Sequence, residues 1–392
     1  MKKYFKFPLY LLMGAVAVCG FASCSDDDGV ALSEKKEKMF KDAIVDYVDN
    51  TVIPTYRGMA DNAILLADAC NKILTKYNAG ELSADDVKAA GEYWNKSRDY
   101  WEKSEAFLYG PVAVANIDPH IDSWPLDKVQ MDKLLVDIHN GRNWDAETLG
   151  PGLLGFHAIE YMLFELSTDG TVSNPHNVNY TKEELLYLVA VAEDLRNQCV
   201  LLEAAWVGVE NLSDAKSTIL ADAELEVERS IVNYGWQMKN AGAGGSNYVN
   251  YLDAAQQLVE GCATIADEVA NTKIGTPALG SQDEDDNYIE SPYSLNSIND
   301  FVGNIISIEN AYQGSKAGDA SISDFIKIVD PELDSMVKEL IAESKEAIVA
   351  IGEPFVSTSN TQAAIAAMEV VNDLYKLLDE RVYAALTGYD FE

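Results

Sequence analysis

Apolar residues recur along this chain at intervals of three and four, the spacing that lines one face of a helix, and strand-like alternation is nearly absent. Phe40, Ile44, Tyr47 and Val48 form a first stripe, which breaks near Ile53-Pro54 because proline lacks the amide donor a helix interior needs. A second stripe through Ile64, Leu65, Ala69 and Ile73 stops at the helix-ending sequence Asn78-Ala79-Gly80. Ser83 and Asp86 have the spacing of a capping pair and open a third helix, with Tyr93, Trp94, Trp101 and Leu108, that closes at Gly110-Pro111. Between Val112 and Leu126, Asp118-Pro119 and Trp124-Pro125 predict a long ordered loop, followed by helices at 127–139 and 152–166.

Residues 167–180 hold Gly170, Pro175 and three asparagines, the composition of a domain boundary. Thr181 with Glu184 is a capping-box signature for a helix to about Val207. Further helical patterns cover 213–240, 246–272, 295–313, 331–351 and 359–387, with Gly242 to Gly245 separating two of them and Asp330-Pro331 capping another. The polar stretch Thr276 to Pro292 contains Asp283-Glu284-Asp285-Asp286. It reads as a solvated connection, because its acids lack the oxygen spacing and glycine turn of a calcium loop. The predicted architecture is all-α, two packed helical bundles over 34–178 and 179–392.

The first residues change the cellular picture. Lys2, Lys3 and Lys6 precede an apolar run, Leu9 to Val18, that is too short to span a bilayer and reads as an export signal. It ends in Phe21-Ala22-Ser23-Cys24, which resembles the lipobox of bacterial lipoproteins and implies cleavage after residue 23 and lipid on Cys24. Residues 24–33 then read as an acidic tether. The run Ser25-Asp26-Asp27-Asp28-Gly29 resembles the surface-export signal of Bacteroidota lipoproteins, so the expectation is an outer-membrane lipoprotein, facing either the cell surface or the periplasm. The membrane is reached through this lipid anchor alone.

The precursor carries a net charge of −35, and losing three lysines and no acids takes the mature chain to −38. Phosphate binding needs the opposite sign, which excludes nucleic acid as a partner. Cys19 leaves with the signal and Cys24 carries lipid. The remaining Cys70, Cys199 and Cys262 allow at most one disulfide, and no CxxC pair points to zinc.

Candidate chemistry centres on Gly155-Phe156-His157-Ala158-Ile159-Glu160. Three residues apart on a helix, His157 and Glu160 share a face with Cβ atoms about 5–6 Å apart, close enough to share a proton or a cation. By itself the pair reads first as a hydrogen-bonded pair satisfying two polar groups in a core.

Four segments read in order resemble the imelysin, or M75 peptidase, family, which is related to the helical domain of bacterial iron-uptake lipoproteins. They are Trp101 to Pro111, with Glu105 before its Gly-Pro turn; Ile121-Asp122-Ser123-Trp124-Pro125-Leu126-Asp127; Gly155 to Tyr161, which fits the GxHxxE signature; and Ser291-Pro292-Tyr293-Ser294 through Ser297, Asp300, Asn304 and Tyr312 to Gly314. A weak internal echo, Glu105 to Gly110 against Glu309 to Gly314, agrees with a repeat. The resemblance implies two related four-helix bundles with the motif residues in a pocket between them.

The residues support binding better than hydrolysis. A zincin helix needs HExxH and an inverzincin HxxEH, but Tyr161 stands where the latter's second histidine would be, and no GxSxG elbow occurs. Of the other histidines, His120, His139 and His176, only His120 is expected near the pocket. An oxygen-rich site with one imidazole suits iron and other first-row metals. His157 and Glu160 are the expected ligands from one helix, with Glu105 from the preceding helix and Asp122 from the loop completing the site. Trp124, Gly155, Ser297, Asp300 and Tyr312 are expected around it, Gly155 for close packing. The expected function is uptake of iron or another metal, with a metal ion or metal-containing ligand as cargo and an outer-membrane transport protein as partner. An M75-type metallopeptidase, or a pocket for haem, a siderophore or a protein, are the alternatives.

Overall fold

A computed structural model describes residues 26–164, 178–280 and 288–388; the side chains of 26–33 and of Glu147 are outside this description. The export signal, Cys24, His176 and the acids 283–286 also lie outside the described residues. The helices are α1 (Asp26–Asp46), α2 (Ile53–Ala79), α3 (Ala84–Glu102), α4 (Pro111–Val114), α5 (Asp118–Ile121), α6 (Lys128–His139), α7 (Gly155–Leu163), α8 (Lys182–Val207) and α9 (Asp214–Asp222). They continue as α10 (Tyr234–Lys239), α11 (Tyr251–Glu268), α12 (Gly275–Leu279), α13 (Ser297–Gln313), α14 (Ile322–Val329), α15 (Pro331–Ile351), α16 (Phe355–Thr358), α17 (Gln362–Lys376) and α18 (Tyr383–Gly388). No strand occurs among the described residues, so the all-α expectation holds. No helix among them is long and apolar enough to cross a membrane.

Two four-helix sets face each other. In the first, α2 packs along α3 and α8, and α7 closes the set against α3 and α8; in the second, α11, α13, α15 and α17 pack in the same manner. The helix expected to open the second bundle, α8, therefore belongs by its contacts to the first. Composition marked a break at 167–180, but the chain returns across it to cover the apolar face of α2. Helix α1 begins within the expected tether and runs on to pack against α11 and α14.

Local chemistry explains where the helices stop. The Ser83–Asp86 and Thr181–Glu184 boxes form as their spacing predicts. Helix α3 ends at Glu102, short of the expected Leu108. The Ser104 amide and hydroxyl both donate to the Trp101 carbonyl, each at 2.7 Å, and turn the chain into a 3₁₀ turn at Glu105–Phe107. The expected helix 213–240 is interrupted because Glu224 and Asn233 adopt left-handed φ values of 53° and 52°. Wider π turns interrupt the helical path at Tyr47–Val52, Val269–Ile274 and Leu377–Val382.

The bundles meet where α3 crosses α13. A Cβ at Gly303 would stand 2.8 Å from Glu102 Cβ, so glycine lets the helices approach. Across this seam Asn304 Nδ2 donates to Glu102 Oε2 at 2.6 Å, and the Ala106 amide donates to Ser307 Oγ at 3.0 Å.

Candidate metal-binding site at the bundle seam

One face of α3, repeating at 94, 98, 101 and 102, builds the site. Trp94 Nε1 donates to the Phe156 carbonyl at 2.9 Å, which fixes the first turn of α7. Trp101 Nε1 donates to Asp122 Oδ2 at 2.7 Å. Between the two tryptophans Arg98 is fully buried. Its guanidinium pairs with Asp122, with Glu102 and Glu290 at 2.6 Å each, and reaches Asp300 at 3.5 Å. Lys273, buried in the second π turn, lies 3.0 Å from Glu290, 3.5 Å from Glu105 and 3.8 Å from Glu102.

Glycine 155 brings α7 to this network. It has φ +76°, and a Cβ there would stand 2.2 Å from the Ile121 carbonyl oxygen, so only glycine admits the contact that sets His157 beside Asp122. His157 Nδ1 lies 3.1 Å from Glu160 Oε2 and Nε2 lies 3.1 Å from Asp122 Oδ1. The second approach is out of line for a hydrogen bond, which leaves Nε2 buried without a hydrogen-bond partner. Glu160 Oε1 accepts from the amides of Tyr293 and Ser294 at 2.9 and 2.7 Å and from Ser294 Oγ at 2.8 Å. Both its oxygens are therefore engaged, one orienting the imidazole and the other tying α7 to the segment before α13.

The other expected residues divide. Asp122 and Glu105 join the cluster, though Glu105 comes from the 3₁₀ turn and not from the helix. Asp300 joins it, held by Arg98, by Ser291 Oγ and by Asn296 Nδ2 at 2.5 Å. Ser297 Oγ donates to the Glu290 carbonyl at 2.5 Å and so fixes that residue's backbone. Trp124 packs on Tyr288 at 4.2 Å between ring centroids, anchoring the loop. Tyr312 belongs elsewhere: twelve residues beyond Asp300, about 18 Å along α13 at 1.5 Å per residue, its hydroxyl donates to Asp334 in the second bundle. His120 pairs with Asp194, and His139 lies beside Glu183, so neither enters the cluster.

Arg98, Glu102, Lys273 and Glu290 were not singled out from sequence. Arg98 and Glu102 have the i, i+4 spacing of an ordinary surface pair. Nothing local distinguishes Lys273 or Glu290 from solvated residues.

Charge is unbalanced here. Glu102, Glu105, Asp122, Glu160, Glu290 and Asp300 surround the two cations Arg98 and Lys273, with His157 at the edge. Burial raises the Glu102 and Glu105 carboxyls well above the usual range despite Arg98 and Lys273 respectively. Burial likewise raises Asp300 to about 6, against Arg98, and Asp118 to about 7, where Asp122 and Glu268 add repulsion. Burial also opposes ionisation of Asp122, but Arg98 and His157 outweigh it and hold that carboxyl low. For His157 burial disfavours the cation, yet Asp122 and Glu160 prevail and raise it to about 9.

These shifts set a sign for stability. A raised carboxyl keeps its proton in the folded chain after the unfolded chain has released it near pH ~4, so the stability it gives falls as pH rises from about 4 to its folded value. The His157 contribution is complete below about 6.5 and is lost as pH rises through about 9. Asp122 acts oppositely and matters only in acid. The metal-free protein should therefore melt at progressively lower temperature between about pH 5 and pH 9; a rising melting temperature over that range, measured by circular dichroism with a chelator present, would contradict the charge assignment.

The acids offer a cation three overlapping ligand sets, each with donor atoms within 4.8 Å of one another: Asp122, His157 and Glu290; Glu102, Glu290 and Asp300; and Glu102, Glu105 and Asp122. Glu290 Oε2, like His157 Nε2, is buried without a hydrogen-bond partner, while Glu102 Oε1 is held by Arg98 at 2.6 Å. An imidazole nitrogen and carboxylate oxygens suit a first-row metal.

The imelysin (peptidase M75) family model matches residues 52–381. The chain is 27% identical over 335 residues to iron-regulated protein A of Synechococcus elongatus, covering 82% of each. It resembles a crystal structure from Parabacteroides distasonis, provisionally named an iron-regulated protein A precursor, with a TM-score of 0.75 and 28% identity over 90% of this chain and 96% of that one. An imelysin-like protein from Psychrobacter arcticum shares the fold at a TM-score of 0.58, with 12% identity over 94% and 98% of the two chains. With its GxHxxE helix seated at the seam of two four-helix sets and the family model covering most of its length, this chain belongs to the imelysin family.

Proposed function

We propose that this protein is a cell-envelope lipoprotein that takes a metal ion, iron favoured, as cargo in metal uptake, and that His157 Nε2, Asp122 and Glu290 hold it at the bundle seam. The carrying observation is the buried His157 Nε2, without a hydrogen-bond partner and 3.1 Å from Asp122, facing a surplus of buried carboxylates. A divalent or trivalent cation would displace protons from that cluster and balance charge that Arg98 and Lys273 leave over. The name iron-regulated protein A, borne by two similar proteins, supports iron among the metals this donor set accepts. Glu160 serves as the orienting partner: it fixes the imidazole with Nε2 free, the relation by which carboxylates tune metal-ligating histidines. With both oxygens engaged it is poorly placed to act as a general base, which favours binding over peptide hydrolysis. Polar surroundings of His157 also fit an ion better than a haem, whose axial histidine sits in an apolar cleft.

Calorimetric titration of the mature protein with iron, zinc and calcium, beside elemental analysis, tests the reading. One equivalent should bind the wild type, His157→Ala should abolish binding, and Glu160→Gln should weaken it about 10–100-fold, the usual effect of losing an orienting partner. Absence of stoichiometric metal in the wild type would end the proposal. The anchor is tested separately, since the Cys24→Ala precursor should fail to incorporate labelled fatty acid in cells; unchanged labelling would exclude lipid at that sulfur.

A further inference from the structure

A cavity of about 740 Å³ opens on the first bundle, away from the seam, where α8 meets the end of α9, the segment at Trp144 and the His120 turn. Its volume lies in the range of small-molecule sites. Its lining holds five carboxylates, Asp145, Glu193, Asp194, Asp222 and Glu224, and neither lysine nor arginine. His120 is the sole basic lining residue, and it is paired with Asp194 at 3.3 Å. An acidic lining is unremarkable in so acidic a chain, and by itself would mean nothing.

Gln198 is what distinguishes this cavity. One helical turn beyond Asp194, on the face of α8 that also carries Ala190, it is only 9% exposed and lines the cavity wall. Its amide forms no hydrogen bond among the described residues. This amide keeps two donors and an acceptor, and they are open to the cavity and not sealed in the core. Trp144, half-buried with its ring 6.4 Å from that of Tyr187, gives the same wall a π surface that attracts cations.

We propose that this cavity is a second ligand site, for a small organic cation carrying two or more amine groups. The carboxylates pair with its ammonium groups, Gln198 takes a polar hydrogen-bonding position along it, and Trp144 covers its alkyl segment. No ligand set among the described residues brings three donors of this cavity within metal-binding distance, so a polyamine suits the spread of charge better than a single ion. The site does not depend on the seam or on metal.

Calorimetric titration of the full mature protein with spermidine at about 0.15 M salt, where exposed charges more than ~8 Å apart are screened, tests this. One equivalent should bind saturably, Gln198→Leu should weaken binding at least tenfold, and the surface double variant Asp222→Asn/Glu224→Gln should weaken it similarly while melting like the wild type. Asp373→Asn, on the other bundle, should change nothing, and His157→Ala should bind spermidine as the wild type does. Weak, non-stoichiometric binding, or equal weakening by Asp373→Asn and by the cavity variants, would reduce the effect to general charge attraction and overturn the proposal.

Discussion

Replacing Arg98 by alanine should unfold this protein more readily than any other single change at the seam. Removing one partner of a buried ion pair costs about 3–5 kcal/mol because the other charge is left uncompensated. Arg98 pairs at once with Asp122, Glu102 and Glu290 and reaches Asp300, all buried. A loss of that size corresponds to a melting temperature lower by about 4–6 °C for a chain of this length. The deficit should shrink at pH 5, because the carboxyls that lose their counter-ion can then take protons; burial already raises Asp300 and Glu102 with Arg98 present. Arg98→Lys should fall between, since one ammonium cannot reproduce a planar fork that reaches several acids. Thermal melts at pH 5 and pH 8 decide the matter: an alanine variant melting like the wild type at both would show that the network carries no net stability.

Gly155→Ala should have the second largest effect, for a different reason. Left-handed backbone costs an L-residue about 1–2 kcal/mol, and the added Cβ would stand 2.2 Å from the Ile121 carbonyl oxygen, a backbone atom with no rotamer by which to escape. Either α7 or the turn before Asp122 must move, at a total cost of about 3 kcal/mol or more. Movement of either separates His157 from Asp122, so the variant should lose stability and, if the proposed site binds metal, metal affinity with it. Gly150→Ala is the control: its φ is −72° and its Cβ would meet nothing within 4 Å, so it should behave as the wild type. Wild-type melting and metal binding in Gly155→Ala would show that the contact is not required.

Most of the helices were legible because their causes are local. Capping boxes at Ser83 and Thr181 and a proline after Asp330 mark helix starts through atoms a few residues apart. Where expectation and structure part, the cause lies in single residues whose backbone state composition does not reveal, as at Ser104, Glu224 and Asn233. The assignment of α8 differs for another reason: its apolar face is equally consistent with either bundle, and only the partner surface on α2 decides.

By itself, the sequence determined the helical class, most helix starts and the GxHxxE helix, since periodicity, capping and a motif are properties of neighbouring residues. It also placed His157, Glu160, Asp122 and Glu105 on one list of candidates. Tertiary structure alone decided that Glu160 orients while Glu290 faces the imidazole, that Tyr312 lies away from the site, and that Arg98 and Lys273 sit among the acids. A charged side chain reads the same in sequence whether water or protein will surround it. Its ionisation and partners follow from burial, and burial exists only once distant helices have packed.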